Sequence, residues 1–298
     1  MLRRTHLTRD FFKLEGDSKE LDQTAFVALL KGKPALCENL LYKPDTLENP
    51  YQSGRFRVKG VTFRNFSFSH TLVTGFEFTD CIFERCLFIA TIFRDCRFTS
   101  GDFVDCNPHR IEFKDCYVDP KNFDKCISDN QFSNIGVYLF QELLRNSRQQ
   151  AQPEFSDEAQ YCFKKWERRL LWREISRSES WLAKIWLGRT FVGLHLFNWA
   201  TGSGMRLGRL TVSSLVVLLL FTLINWKLAV QMGLMQDGHV IGSFVDAFYF
   251  STVITTTLGF GDISPTTSLG RLVVSGEAII GFVLFALLTS TMYRKFTS

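Results

Sequence analysis

From residue 56 onward the apolar positions of this chain recur at every fifth residue: Val58, Phe63, Phe68, Val73, Phe78, Phe83, Phe88, Phe93, Phe98, Phe103, Phe113, Val118 and Phe123, with Pro108 the one break. Two residues before each centre stands a second, often small, position, as in Cys81, Cys86, Thr91, Cys96, Gly101, Cys106, Ile111 and Cys116. A helix repeats every 3.6 residues and a strand every 2. A sustained five fits neither, but it fits a chain that turns a corner after each pair of inward positions. Upstream, residues 24–30 and 35–41 read as short helices that cap the repeat. Downstream, residues 137–144 and 158–177 read as two helices around Pro153, a linker on the cytoplasmic side.

The last third of the chain changes character. Residues 210–226 carry no charge and, with flanks to about 232, reach the ~20 residues that cross a bilayer. Residues 272–293 carry one charge, Glu277. Between them, Ser243 and Asp246 have the spacing of a helix N-cap before Ala247-Phe248-Tyr249-Phe250. A short helix is therefore predicted to run into Thr255-Thr256-Thr257, where the negative end of its dipole favours a cation. The plan is span, re-entrant helix and loop, span.

The five-residue rows resemble the pentapeptide-repeat family. That resemblance implies a right-handed quadrilateral β-helix with four repeats to a coil, here roughly three and a half coils, with the Phe row stacked inside. The Phe-rich centre departs from the usual Leu. The cysteines read as small core filler rather than redox groups or ligands.

The loop Thr257-Leu258-Gly259-Phe260-Gly261-Asp262 resembles the selectivity filter of potassium channels. A cation leaves water only where oxygens replace its hydration shell, and backbone carbonyls can do so. Aiming successive carbonyls the same way needs left-handed residues, which Gly259 and Gly261 adopt without a Cβ clash. By resemblance the carbonyls of Thr257, Leu258, Gly259 and Phe260 and the Thr257 hydroxyl coordinate K+, Gly261 and Asp262 complete the signature, and four identical chains close the ring. Thr256, Glu277 and Gly281 are further pore and gating candidates. Gly281 falls where many potassium channels have a hinge glycine, and a packing role is the alternative. A carboxylate inside a membrane helix needs a partner or water, so Glu277 is expected to hydrogen-bond behind the filter or near the short helix before it, with a direct ion-site role as the alternative.

With 298 residues, room for about two domains, the reading is a multidomain membrane protein: a capping segment (1–50), a β-helix (51–126), a helical, basic, Trp-rich segment (127–205) and an all-α two-span pore domain (206–298). The formal charge of +5 is concentrated between residues 164 and 189. There Arg168, Arg169 and Arg173 interleave with Trp172, Trp181 and Trp186, and Trp166 and Trp199 flank them, a pattern suited to lipid headgroups. Residues 181–200 are expected along the membrane surface, since Lys184, Arg189 and His195 oppose a crossing. The solenoid carries ten basic and ten acidic residues between 56 and 125, so it is no phosphate-backbone mimic, and no nucleic-acid partner is expected.

Arg206 and Arg209 before the first span, and Arg294 and Lys295 after the second, place both termini in the cytoplasm of a two-span cell-membrane protein. No signal peptide, catalytic motif, voltage-sensing Arg repeat or metal-ligand spacing is seen. No enzyme activity and no cofactor are expected, with K+ as the permeant ion. The alternatives are a weakly selective Na+/K+ channel and a non-conducting membrane scaffold whose solenoid recruits a cytoplasmic ligand or protein. Only three residues follow Lys295, so a cytoplasmic signal is expected to reach the second span through the Trp- and Arg-rich segment.

Overall fold

The computed structural model describes residues 10–51, 53–177 and 207–297, with isolated positions between 181 and 193. The chain divides into two units, Met1–Phe191 and Val192–Ser298.

In the first unit the five-residue period becomes a β-solenoid of about five coils. Coils stack with an offset of twenty residues. Phe63 pairs with Phe83 and Phe83 with Phe103 on one face; Val73, Phe93 and Phe113 pair on a second; Val58, Phe78 and Phe98 pair on a third, all in parallel. Bridges from Ser67 to Leu87 and from Leu87 to Asn107 mark the fourth face. Rings in register stack inside, with Phe63 and Phe83 centroids 5.0 Å apart, Phe83 and Phe103 4.6 Å, and Phe103 and Phe123 4.1 Å. Every predicted centre is buried.

The corners account for the period. Two residues after each centre from Val58 to Phe113 the backbone is left-handed, with φ between +48° and +75° at twelve positions from Gly60 to Asp115, Pro108 included as a centre. Gly, Asn and Asp hold seven of the twelve, the residues that tolerate this conformation best. The small row is also more than filler. Thr91 Oγ1 donates to the Phe68 carbonyl at 2.8 Å, and the thiols of Cys86, Cys106 and Cys116 donate to the carbonyls of Phe63, Phe83 and Phe93 at 3.2, 3.2 and 3.3 Å. All eight cysteines are buried and unbridged.

One predicted helix is a strand. Of residues 35–41, all but Ala35 lie in the strand Leu36–Tyr42, which pairs in parallel with Thr62–Ser67. Its apolar run suits either state locally; the open edge of the solenoid supplies hydrogen-bond partners that decide for a strand, and Asn39 at φ +56° breaks any helical path. The ladder thus begins before the five-residue period is legible, which is why there are about five coils and not three and a half.

Both ends of the solenoid are covered. Helix α1 (Gln23–Lys31), capped by Asp22 accepting from the Ala25 N–H, lays Phe26 on Tyr42, Phe66 and Phe68. At the other end stand α2 (Ser133–Gln149) and α3 (Pro153–Arg177). The Asn146 side chain donates to the Cys116 carbonyl at 2.8 Å and accepts from the Cys116 N–H at 3.1 Å, completing the last rung. Trp166, read from sequence as one of the headgroup tryptophans, is instead buried in this cap against Gly136. An aromatic flanked by bases on a helix surface reads the same whether its face meets lipid or a neighbouring helix.

The second unit holds two helices long and apolar enough to cross a membrane: α4 (Leu207–Lys227) and, within α6 (Ser268–Thr297), Ser268–Tyr293. Between them come a helical turn (Ala229–Met232), a small antiparallel sheet and α5 (Phe244–Thr255). The sheet joins Leu234–Gln236 to His239–Val240 and to Ile263–Pro265, the strand that follows Asp262.

Candidate functional site

Helix α5 starts as its sequence predicts, with Ser243 Oγ accepting the Asp246 N–H at 3.0 Å. It ends in a Schellman motif. The Leu258 N–H bonds the Val253 carbonyl at 3.0 Å, the Thr257 N–H bonds the Ile254 carbonyl at 3.1 Å, and Thr257 takes the left-handed position at φ +61°. A threonine there carries strain of about 1–2 kcal/mol that glycine would not. Gly259 and Gly261 are left-handed as expected, at φ +59° and +77°. Within one chain no atom lies within 4 Å of a Cβ built at either glycine, so the backbone angle alone selects Gly. Leu258 and Phe260 are 61% and 65% exposed in the single chain.

The hydroxyls ahead of the signature turn back on the helix. Thr252 Oγ1 donates to the Phe248 carbonyl at 2.8 Å, Thr255 Oγ1 to Ser251 at 2.6 Å, and Thr256 Oγ1 to Thr252 at 2.7 Å. At the far end of the signature the Tyr249 side chain lies beside the Asp262 carboxylate, bringing the end of the loop near the helix before it. The strand Ile263–Pro265 then anchors the chain, helped by the Thr266 and Thr267 hydroxyls on the Gly233 and Gln231 carbonyls. Tyr249 has no motif around it; only the fold brings it to Asp262.

A polar cluster lies in an apolar setting where α4, α5 and α6 meet. Asn225 of α4, Ser251 of α5 and Glu277 of α6 are each fully buried. Asn225 Nδ2 donates to Ser251 Oγ at 2.8 Å and to Glu277 Oε2 at 2.9 Å. One turn further along both α5 and α6, Gly281 meets Thr255 so closely that a Cβ would stand 2.7 Å from the Thr255 Cα. The structure thus sets Glu277 and Gly281 of α6 against Ser251 and Thr255 of α5, the helix that runs into Thr256 and residues 257–262. Asn225 and Ser251 carry no signal in the sequence beyond being polar in an apolar helix.

The membrane-interface candidates lie in the other unit. On α3, Trp172 is 57% exposed, the Arg169 guanidinium sits 4.4 Å from the Trp166 ring centre, and Arg173 donates to Asn134 Oδ1 at 3.3 Å. Burial lowers the pKa of Arg168 from its ordinary value. Trp181 is 68% exposed. Trp186, and most of the surface helix expected over 181–200, fall outside the described residues.

The model of the ion channel family matches residues 213–298. Ninety-three residues are 32% identical to a candidate potassium channel protein of Rhodopseudomonas palustris, covering 30% of this chain and 22% of that protein. Fifty residues are 44% identical to a hyperpolarization-activated voltage-gated potassium channel of Methanocaldococcus jannaschii, 17% of this chain and 23% of the relative. Fifty-six residues are 39% identical to an inward rectifier potassium channel of Paramagnetospirillum magnetotacticum, 19% of each. The matched stretches therefore span only 22%, 23% and 19% of these curated relatives. The C-terminal unit carries an ion-channel domain similar to those of potassium channels, and the N-terminal unit is a β-solenoid that fits pentapeptide repeats.

Proposed function

We propose that the protein is a homotetrameric potassium-selective channel whose ion path is lined by residues 257–262 of four chains. The observation that carries this reading is the signature at the C-terminal end of α5, between two membrane-length helices, with left-handed Gly259 and Gly261. Carbonyls of Thr257, Leu258, Gly259 and Phe260 replace the water around K+, and the helix end behind them supplies negative potential. The exposed Leu258 and Phe260 side chains are the surface that neighbouring copies and their α5 helices cover. The test is ion flux from purified protein in liposomes, with reversal potentials in opposed K+ and Na+ gradients. A reversal at the K+ potential supports the reading. Flux without discrimination supports the weakly selective channel, which the missing hydroxyl at Phe260 favours. No flux supports the membrane-anchored scaffold.

Both termini face the cytoplasm in this reading, Trp172 and Trp181 rest among lipid headgroups, and the solenoid biases opening through the segment that joins it to α4. Such a bias needs only a few kcal/mol between two states. A cytoplasmic ligand or protein bound by the solenoid supplies it.

A further inference from the structure

In the cluster of Asn225, Ser251 and Glu277 two buried oxygens lack a donor, although the Ser251 hydroxyl also faces the Glu277 carboxylate. Asn225 Nδ2 spends its two hydrogens on Ser251 Oγ and Glu277 Oε2. Asn225 Oδ1 and Glu277 Oε1 are then left as buried acceptors with no donor. A buried polar atom left without a partner is costly, and a charged one more so. A charged carboxylate here also has no counter-ion among the described residues. Of the groups on the elements packed against Glu277, Arg209 and Lys227 stand at the two ends of α4, and the Lys227 ammonium lies 4.2 Å from the Trp226 ring centre. Asp246 is in the first turn of α5, Tyr249 lies beside Asp262, and Arg271 of α6 precedes Glu277 by more than a helical turn.

We propose that Glu277 is held as the neutral acid and pairs with Asn225 through two hydrogen bonds, Nδ2–H to Oε2 and Oε1–H to Oδ1, as a clasp that positions α5 through Ser251. One proton satisfies both orphaned oxygens and removes the uncompensated charge. An acid and an amide each offer a donor beside an acceptor, so the bond from Nδ2 to Oε2 already sets half of the ring. The clasp joins all three helices of the channel unit, one turn from the contact of Gly281 with Thr255. Those two contacts fix the rotation of α6 against the end of α5, where the signature begins. Glu277 is therefore a positioning residue, acting on the carbonyls of residues 257–260 without touching the ion; this function rests on the channel reading above.

The test uses full-length protein in liposomes and two readouts. Infrared spectra of wild type minus Glu277→Gln at neutral pH should contain the carbonyl stretch of a protonated carboxyl group; a carboxylate pair of bands in its place overturns the proposal, whether or not the protein conducts. In flux assays Glu277→Asp and Glu277→Ala should lower the K+ to Na+ permeability ratio by about tenfold, the scale of one or two lost buried hydrogen bonds. Glu277→Gln, whose amide can still bond Asn225 Oδ1, should recover most of that loss. A Gln variant as poorly selective as the Ala variant shows that the charge itself acts and overturns the clasp. If wild type carries no K+ current, the channel reading fails while the infrared result still decides the pair.

Discussion

Gly281 of α6 lies against Thr255 of α5 with no room for a side chain between them: a Cβ on Gly281 would stand 2.7 Å from the Thr255 Cα and 3.0 Å from its carbonyl oxygen. Both of those atoms are backbone, so they cannot swing away. Gly281→Ala should therefore overpack the junction by about 1–3 kcal/mol per chain, lowering the thermal midpoint of the detergent-solubilised protein and its open probability. Unchanged stability and current would mean that the helices part more easily than this contact implies.

Replacing Gly259 or Gly261 by Ala should abolish potassium-selective current while leaving the oligomer assembled. A Cβ opposes each left-handed residue by about 1–2 kcal/mol, repeated in every chain. Normal selectivity in Gly259→Ala, measured by reversal potential, would remove the filter assignment.

In the solenoid, Phe83→Ala or Phe93→Ala should cost about 3–5 kcal/mol of stability in chemical denaturation, because Phe83 stacks on Phe63 and Phe103 and Phe93 stacks on Phe113. Cys86→Ser should cost much less, since a hydroxyl can donate to the Phe63 carbonyl as the thiol does. Thiol reagents should label these cysteines only as the unit unfolds; rapid labelling of the folded protein would contradict their burial.

Stability of the N-terminal unit should depend on alkaline pH. Burial pushes the Cys37 thiol up to about 11 and the Cys162 thiol up to about 12, from an ordinary value of 9.0. The folded state thus keeps protons that the unfolded chain releases. The stability linked to them is fully present below about pH 9 and falls as pH rises toward 11–12. Denaturation midpoints should be flat from pH 7 to about 9 and decline above. A midpoint that rose across that range would reverse the sign of this linkage.

Neutralising Arg168, Arg169 and Arg173 together should change open probability and leave ion selectivity alone. These side chains belong to α3, where Arg169 covers the Trp166 ring of the same helix and Arg173 also ties α3 to α2 through Asn134. A chain truncated before Leu207 is the companion experiment. If it assembles and gates like the full-length protein under every condition, the solenoid is a passive anchor and its role in opening is discarded.

Much of this architecture is local chemistry and so is legible in the residues themselves. A five-residue period admits only a chain that turns after every second inward position, and Val58 to Phe123 occupy those positions in the structure as the rows predict. Apolar stretches of membrane length, a Ser243 cap and the pair Gly259 and Gly261 are likewise written in order along the chain, because each depends on neighbours within a few residues. Tertiary contacts decided the rest. Residues 36–41 became a strand because an open parallel edge was waiting for them, and Trp166 went into the cap because α2 presents Gly136 to it. Tyr249 and Asp262, like Asn225, Ser251 and Glu277, are far apart in sequence and share no motif. A buried hydrogen bond stabilises only where the fold closes water out around both partners, so which polar residues of an apolar helix find each other is settled by packing and not by spacing.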